Sequence, residues 1–467
     1  TCIGRVWADG EESTANDLNL RVYTGAQDQL PDPLMEAIEG QGLVPAYRGT
    51  AYVVIENLRL GSFGNRVPQL SFEVVRPEQA EQVGAEDEMT RAVRAVAVMP
   101  GTGEYALATS PVNYINAARG RWSANVNSPA GRADFAVSLN ALGDELPNCE
   151  AASLIVSWFG NDLRCGSCQL KPKVERKDAD GETMPWVVAG LPRAAAEQIV
   201  SIEGRPLYGG TPSDSSVVQA IQAMNAAGKA VMFYPFVLMD QLEGNTLPDP
   251  YDPSATQPHL PWRGRITLSV APGVTGSPDG TSAADGEVEA FFGTARASHY
   301  RVSSSVTYLG PAEWSLSRFI LHYAALCKLA GGVEAFCIGS EFRGLTQIRG
   351  SGNAFVVVQK LRELAAEVRA ILGPNTKISY AADWTEYFGF QPQDGTDDRY
   401  FHLDPLWADP NIDFVGIDNY MPLSDWRDAD EHADADWDSV YNLDYLRANI
   451  AGGEGFDWYY HSPEAAT

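Results

Sequence analysis

The sequence predicts an α/β chain, a TIM (β/α)8-type barrel preceded by a β-rich segment. Three observations carry this reading. Amphipathic helices alternate with short, almost uninterrupted apolar runs, the pattern of a parallel sheet covered by helices. Polar and aromatic residues gather at the C-terminal ends of those runs, where a barrel presents its functional groups. No Gly-rich fingerprint follows the first strand, as a dinucleotide-binding sheet would show; Pro100-Gly101-Thr102-Gly103-Glu104 lacks the third glycine and reads as a turn.

The elements follow in order. Residues 1–77 read as β-rich: Ala51-Tyr52-Val53-Val54-Ile55-Glu56 is β-branched and aromatic, and the run from Val67 to Val75 alternates faces around Leu70, Phe72 and Val74. Gly61-Ser62-Phe63-Gly64-Asn65 between them is turn chemistry. Residues 78–94, with Glu78, Glu81, Glu86, Asp87 and Glu88, read as an acidic linker, and the barrel is assigned to 95–467. Leu154-Ile155-Val156-Ser157-Trp158 is a buried strand. Thr211 is expected to cap a helix with Pro212 at its first position, Val217, Val218, Ile221 and Met224 on one face and Gly228 as its stop. A strand from Ala230 to Val237 follows. Pro311 is expected to open the next helix, with Leu316, Phe319, Ile320, Tyr323, Leu326 and Cys327 on one face, and Val333–Gly339 is its strand. The run from Phe355 to Leu372 is the clearest helix, ended by Gly373-Pro374. Strands from Lys377 to Trp384 and from Ile412 to Asp418 complete the series.

Charge narrows the function. Lys and Arg number 34 against 61 Asp and Glu, a net charge of −27. Gripping nucleic acid through its phosphates needs clustered cations, so that class is excluded. No run approaches the ~18 apolar residues of a membrane span. The chain opens on Thr1-Cys2-Ile3-Gly4-Arg5-Val6-Trp7 without an initiator Met, and is expected to be a piece of a longer polypeptide. Of six cysteines, only Cys165-Gly166-Ser167-Cys168 forms a motif. A lone C-x-x-C with no second pair or nearby His pair favours structural thiols or a local disulfide over zinc or redox chemistry, and no metal or cofactor is expected.

The strand ends carry the candidate chemistry. Glu341 stands just past a buried strand, where partial desolvation favours the protonated form that a general acid needs. Glycoside hydrolysis uses two carboxyl groups flanking one bond, and Asp383, Glu386 and Asp418 are the candidate partners. Trp158, Tyr234, Trp384, Tyr387, Tyr420 and Trp426 offer flat apolar faces with polar rims for sugar stacking. The alternative is that Glu341 merely pairs with Arg343 or Arg349 while the aromatics close the barrel mouth. His322 reads as a core or edge residue, no serine sits in a G-x-S-x-G elbow, and the acidic run from Asp425 to Asp438 reads as a solvated loop rather than a calcium site.

Three long strings are more specific than these motifs. Phe336-Cys337-Ile338-Gly339-Ser340-Glu341-Phe342-Arg343-Gly344-Leu345, Ala381-Ala382-Asp383-Trp384-Thr385-Glu386-Tyr387-Phe388-Gly389 and the segment from Asp413 to Trp426 resemble the glycoside-hydrolase-like TIM barrel of the gene transfer agent tail-tip (baseplate) protein family. The stretches Pro45–Gly49 and Phe63–Val74 resemble the phage tail-hub module that precedes that barrel. The resemblance implies a structural component of a DNA-delivering, phage-like particle, extracellular once released, with other tail-tip and hub proteins as partners. It also implies a homotrimer around the tail axis and contact with, or degradation of, a host-surface glycan. It further implies a relation to retaining glycosidases, with the acid/base after the fourth strand, matched by Glu341, and the nucleophile after the seventh. Counting the strand before Glu341 as fourth and that of Asp418 as sixth, with the second between Trp186 and Tyr208, leaves an incomplete barrel and a nucleophile beyond Thr467. An active glycosidase and a non-catalytic carbohydrate-binding barrel are the alternatives to a purely structural role. The acidic charge fits a piece that contacts proteins and glycans while DNA passes unheld.

Overall fold

The computed structural model describes residues 2–13, 18–75, 88–101, 103–116, 118–128, 130–387, 389–392, 395–420, 422–424, 426–427, 432 and 434–450. The chain divides into two compact units, 1–92 and 93–467. Most of the acidic stretch expected to link them, residues 78–87, lies outside the described residues.

In the first unit, β1 (Cys2–Ala8) pairs antiparallel with β2 (Glu11–Ser13) and with β5 (Leu70–Val75), while β3 (Leu20–Tyr23) and β4 (Tyr52–Ile55) form a separate antiparallel ribbon. The helix α1 (Pro33–Glu39) starts where the sequence puts a proline in its first turn. Asp32 caps it by accepting from Leu34 N and Met35 N, and its other contacts go to Arg21 and Tyr23.

The second unit is built on six parallel strands that lie side by side in chain order: β6 (Ala95–Val98), β7 (Ala151–Gly160), β8 (Ala230–Met239), β9 (Ala335–Ser340), β10 (Lys377–Asp383) and β11 (Gly416–Asp418). The long pair β7 and β8 runs in unbroken register from Ala151 opposite Ala230 to Gly160 opposite Met239. This is a parallel half-barrel, an incomplete TIM-like barrel, with no seventh or eighth parallel strand among the described residues; the sheet's remaining member, Leu170–Lys171, pairs antiparallel with the end of β7. Glu341 follows the fourth strand and Asp418 ends the sixth.

That count holds two corrections. The first strand is the short Ala95–Val98, and the Leu154 run is the second. No barrel strand lies between Trp186 and Tyr208, where two-residue strands fold back on themselves: Val187–Val188 on Leu191–Pro192, and Ser201–Ile202 on Arg205–Pro206. The left-handed residues Ala189-Gly190 and Glu203-Gly204 reverse the chain too soon for a longer strand.

Helices cover the outer face: α2 (Asp134–Glu145), α3 (Asp214–Ala226), α4 (Ser282–Phe292), α5 (Leu316–Leu329) and α6 (Val356–Leu372). Two begin later than the sequence suggests. Ser213, not Thr211, caps α3, because Thr211 is already committed: its N–H donates to Lys173 O and its hydroxyl to Ser157 O. Ser315, not Pro311, opens the way into α5 by accepting from Arg318 N. The predicted stripe of α6 is buried from Val357 through Ile371. Each such side chain contributes about 1.5–3 kcal/mol relative to exposure.

Among the described residues no helix is long and apolar enough to cross a membrane. Cys165 and Cys168 are free buried thiols in one 3-10 turn rather than a local disulfide, and burial pushes the Cys168 thiol up to about 12.

Candidate functional site

Strand alternation decides which strand residues reach the site. Along β7, Ala152, Leu154, Val156 and Trp158 are buried on the helix side. Trp158 therefore leaves the list of sugar platforms: it is 0% exposed, packs against Phe319 and Tyr323 of α5, and donates its indole N–H to Tyr323 Oη. The opposite face carries a small second cluster of Tyr234, Cys337 and Ala381, flanked by Ile155, Met232 and Phe236. Tyr234 is buried here with its hydroxyl on Asp418, so its ring faces are covered and it acts through its hydroxyl rather than as a stacking surface.

Above this cluster β9 ends in a bulge. Its register on β10 shifts between Cys337 and Ser340, and Glu341 then takes a φ of 51°. A non-glycine residue in that left-handed region costs on the order of 1–3 kcal/mol and persists only where neighbours enforce it. Two hydrogen bonds enforce it: Glu341 N to Ala381 O at 2.8 Å and Phe342 N to Tyr380 Oη at 2.7 Å.

The carboxylate so placed meets three partners. Trp262 Nε1 donates to Glu341 Oε2 at 2.7 Å. Arg263 Nη2 lies 3.0 Å from the same oxygen with its N–H directions off line, an ion pair rather than a hydrogen bond. Tyr420 Oη, 67% exposed with its residue, stands 3.5 Å from Oε1. Arg263 is itself buried, with its guanidinium 3.8 Å above the Phe236 ring and its Nε donating to Ser340 O at 3.0 Å. The expected pairing of Glu341 with Arg343 or Arg349 does not occur. Arg349 is drawn instead to Asp279 at 3.1 Å, and the buried Arg263 reaches Glu341 first.

Asp418 faces the same centre. Its Oδ2 accepts from Tyr234 and lies 4.0 Å from Arg263 Nη2, the same nitrogen that stands 3.0 Å from Glu341 Oε2. Burial first, then the adjacent Glu341, push Asp418 up to about 6, against the lowering effect of Tyr234 and Arg263. A carboxylate that shares one buried guanidinium with another carboxylate ionises less readily, which is the sense of the Asp418 shift.

The other two candidate carboxylates serve the neighbouring turn. Asp383 accepts from Thr385 N at 3.0 Å, capping a 3-10 turn. Glu386 closes that capping box by accepting from Asp383 N at 2.8 Å, and also meets Thr346 Oγ1 at 2.6 Å and Tyr380 Oη at 3.1 Å. It is fully enclosed, and burial pushes it up to about 7. His402 touches the other side of Thr346 at 3.3 Å and is pushed down to about 4 by burial. Among the ring candidates, Tyr387 is 39% exposed and Trp384 is half-buried, while Trp426 packs against His432 and Tyr445 at 4.5 and 5.8 Å. Of the acidic run, Asp425, Asp428, Asp430 and Glu431 lie outside the described residues.

Trp262 and Arg263 were missed by sequence reasoning. They come from the long connection between β8 and α4, which has no period to read. The available signal was Pro261-Trp262-Arg263-Gly264-Arg265, an aromatic and basic knot in an acidic chain. Gly264 is required there, since a Cβ would lie 2.3 Å from the Trp262 ring.

Residues 314–467 match the family model described as GTA TIM-barrel-like domain. Among solved structures, a chain of the virion of the native gene transfer agent particle is 58% identical over 22% of this chain and 24% of that one, with a TM-score of 0.20. The chain thus spans about a quarter of the length of the virion chain it matches. A GH113 β-mannanase from Alicyclobacillus acidocaldarius is 16% identical over 81% of this chain and 78% of that one, with a TM-score of 0.36. A further GH113 β-1,4-mannanase is 15% identical over 68% and 62%, with a TM-score of 0.30. No curated protein matches the chain.

Proposed function

We propose that the chain, whose residues 314–467 match the model described as GTA TIM-barrel-like domain, is a component of a gene transfer agent particle, placed at the tail tip. There a glycoside-hydrolase-like barrel accompanies a β-rich hub unit and meets the host envelope during DNA delivery. The observation that carries this reading is the 58% identity to a virion chain. Contact with other hub proteins, a threefold arrangement about the tail axis and an extracellular working location belong to the same proposal. Its test is direct: gold-labelled antibody against the chain should decorate the tail tips of purified particles. Label confined to the lysate, with bare particles, would end the assignment.

A second reading is favoured by one specific observation, the convergence of Glu341 and Asp418 on Arg263. In this reading the barrel works on a glycan. Glu341 accepts the indole N–H and faces the guanidinium, while burial and the adjacent Glu341 push Asp418 toward its protonated form. Asp418 then suits the general-acid role that the sequence position suggested for Glu341. Release of reducing sugar from host envelope glycans should fall at least about a hundredfold in Glu341→Gln and in Asp418→Asn. Equal release by wild type and both variants removes the pair from any mechanism. Binding without release by the wild type makes the barrel a carbohydrate-binding module instead.

A further inference from the structure

We propose that the groove beside the carboxylate pair is a subsite for the acidic substituent of an anionic sugar, with Arg343 and Arg399 as its recognition groups. This rests on the glycan reading above and names the class of glycan.

The groove encloses about 450 Å³, within the range of small-molecule sites. It lies against the ends of the fourth and fifth strands: Arg343 is two residues beyond Glu341, and Thr385 two beyond Asp383. Among the described residues three arginines line it and no carboxylate does. That is unexpected in a chain with 61 acidic residues against 34 basic ones.

The three arginines differ in what already occupies them. Arg349 is spent on Asp279, with Nε and Nη2 each 3.1 Å from the same oxygen. Arg399 is exposed and makes one marginal contact, to Gln391 at 3.4 Å. Arg343 is exposed and has no ion pair or side-chain hydrogen bond among the described residues. Two guanidiniums thus converge on one groove without a counter-charge among the described residues, and a guanidinium fork matches a carboxylate, sulfate or phosphate group in two-point geometry. The remaining lining suits a sugar ring: Tyr251 and Phe390 offer aromatic faces, and Gln347 and Gln391 offer amides. A neutral glycan would leave both cations unanswered, whereas an acidic one is drawn to a groove whose arginines oppose the chain's net negative charge.

The test is equilibrium binding of the whole chain to a hexuronate oligosaccharide and to a neutral oligosaccharide of equal length, with inorganic phosphate as competitor. The acidic ligand should bind at least about tenfold more tightly at low salt, and Arg343→Gln/Arg399→Gln should erase that margin. Both positions are exposed, so the variant should fold as the wild type does. Equal binding of the two oligosaccharides overturns the acidic-sugar subsite while leaving the glycan reading intact. So does a margin that survives the double variant, or phosphate that displaces the neutral oligosaccharide as readily as the acidic one. Failure of both oligosaccharides to bind overturns the glycan reading itself, and the subsite with it. Glu341→Gln separates the two centres further, since it should abolish sugar release and leave the acidic margin in place.

Discussion

Glu341 and Glu386 are both buried, both at the C-terminal end of one sheet, and kept there in opposite ways. Glu341 is held by charge: Arg263 faces it and Trp262 donates to it. Glu386 has hydroxyls and a backbone N–H around it, from Thr346, Tyr380 and Asp383, and burial pushes it up to about 7. The lesson is that a displaced carboxyl group does not by itself mark a reactive centre. Glu386 is pushed far up, yet it is enclosed and has a capping duty. The centre that can meet a ligand is the one where a second carboxylate, a cation and a half-open mouth coincide.

The sharpest way to break this contrast is to remove the cation. Arg263→Met should destabilise the fold by about 3–5 kcal/mol, because a buried charge loses its partner. Urea unfolding would show it, and a loss under 1 kcal/mol would mean that Glu341 is not held by charge.

The next effect is a dependence on pH. Glu386 rises from 4.5 in the unfolded chain to about 7 in the fold. The unfolded chain therefore releases this proton first, and the stability the group supplies is full below pH 4.5 and lost as pH rises to 7. The swing is on the order of 3 kcal/mol. His402 runs the other way, from 6.5 down to about 4, so its contribution is full above pH 6.5 and lost as pH falls. Unfolding of Glu386→Gln at pH 4.5, 5.5 and 6.5 should show stability climbing more steeply with pH than in the wild type. His402→Gln should climb less, or decline. Parallel curves for all three proteins would contradict both assignments.

Smaller effects refine the charged side. Trp262→Phe removes one donor to a carboxylate and should cost about 2 kcal/mol by the same urea measurement. Tyr420→Phe removes only a long contact from an exposed ring and should stay within about 0.5 kcal/mol. A larger loss there would make Tyr420 part of the holding network rather than of the open rim.

Much of this was readable in the sequence, for identifiable reasons. Glu341 and Asp418 stand where uninterrupted apolar runs stop, and a strand end is a local signal. The stripe of α6 is likewise local, and its buried face follows the predicted spacing. Trp158 was misplaced because the two faces of a buried strand look alike in an apolar run, and only packing on α5 shows which face turns outward. Arg263 was invisible because its partner lies 78 positions away, on the far side of two helices and a strand. The four-residue strand Ala95–Val98 was unreadable because its length carries too little periodicity.

The pair that meets through Thr346 has one further consequence. At pH 5.5 the unfolded chain holds Glu386 ionised and His402 protonated, two opposite charges in water. In the fold the values of about 7 and about 4 place the proton on Glu386 and leave the imidazole neutral. Folding at this spot is thus a neutralisation: a proton passes from base to acid, none is exchanged with the solvent, and the barrel closes over two uncharged side chains where the loose chain carried a zwitterion.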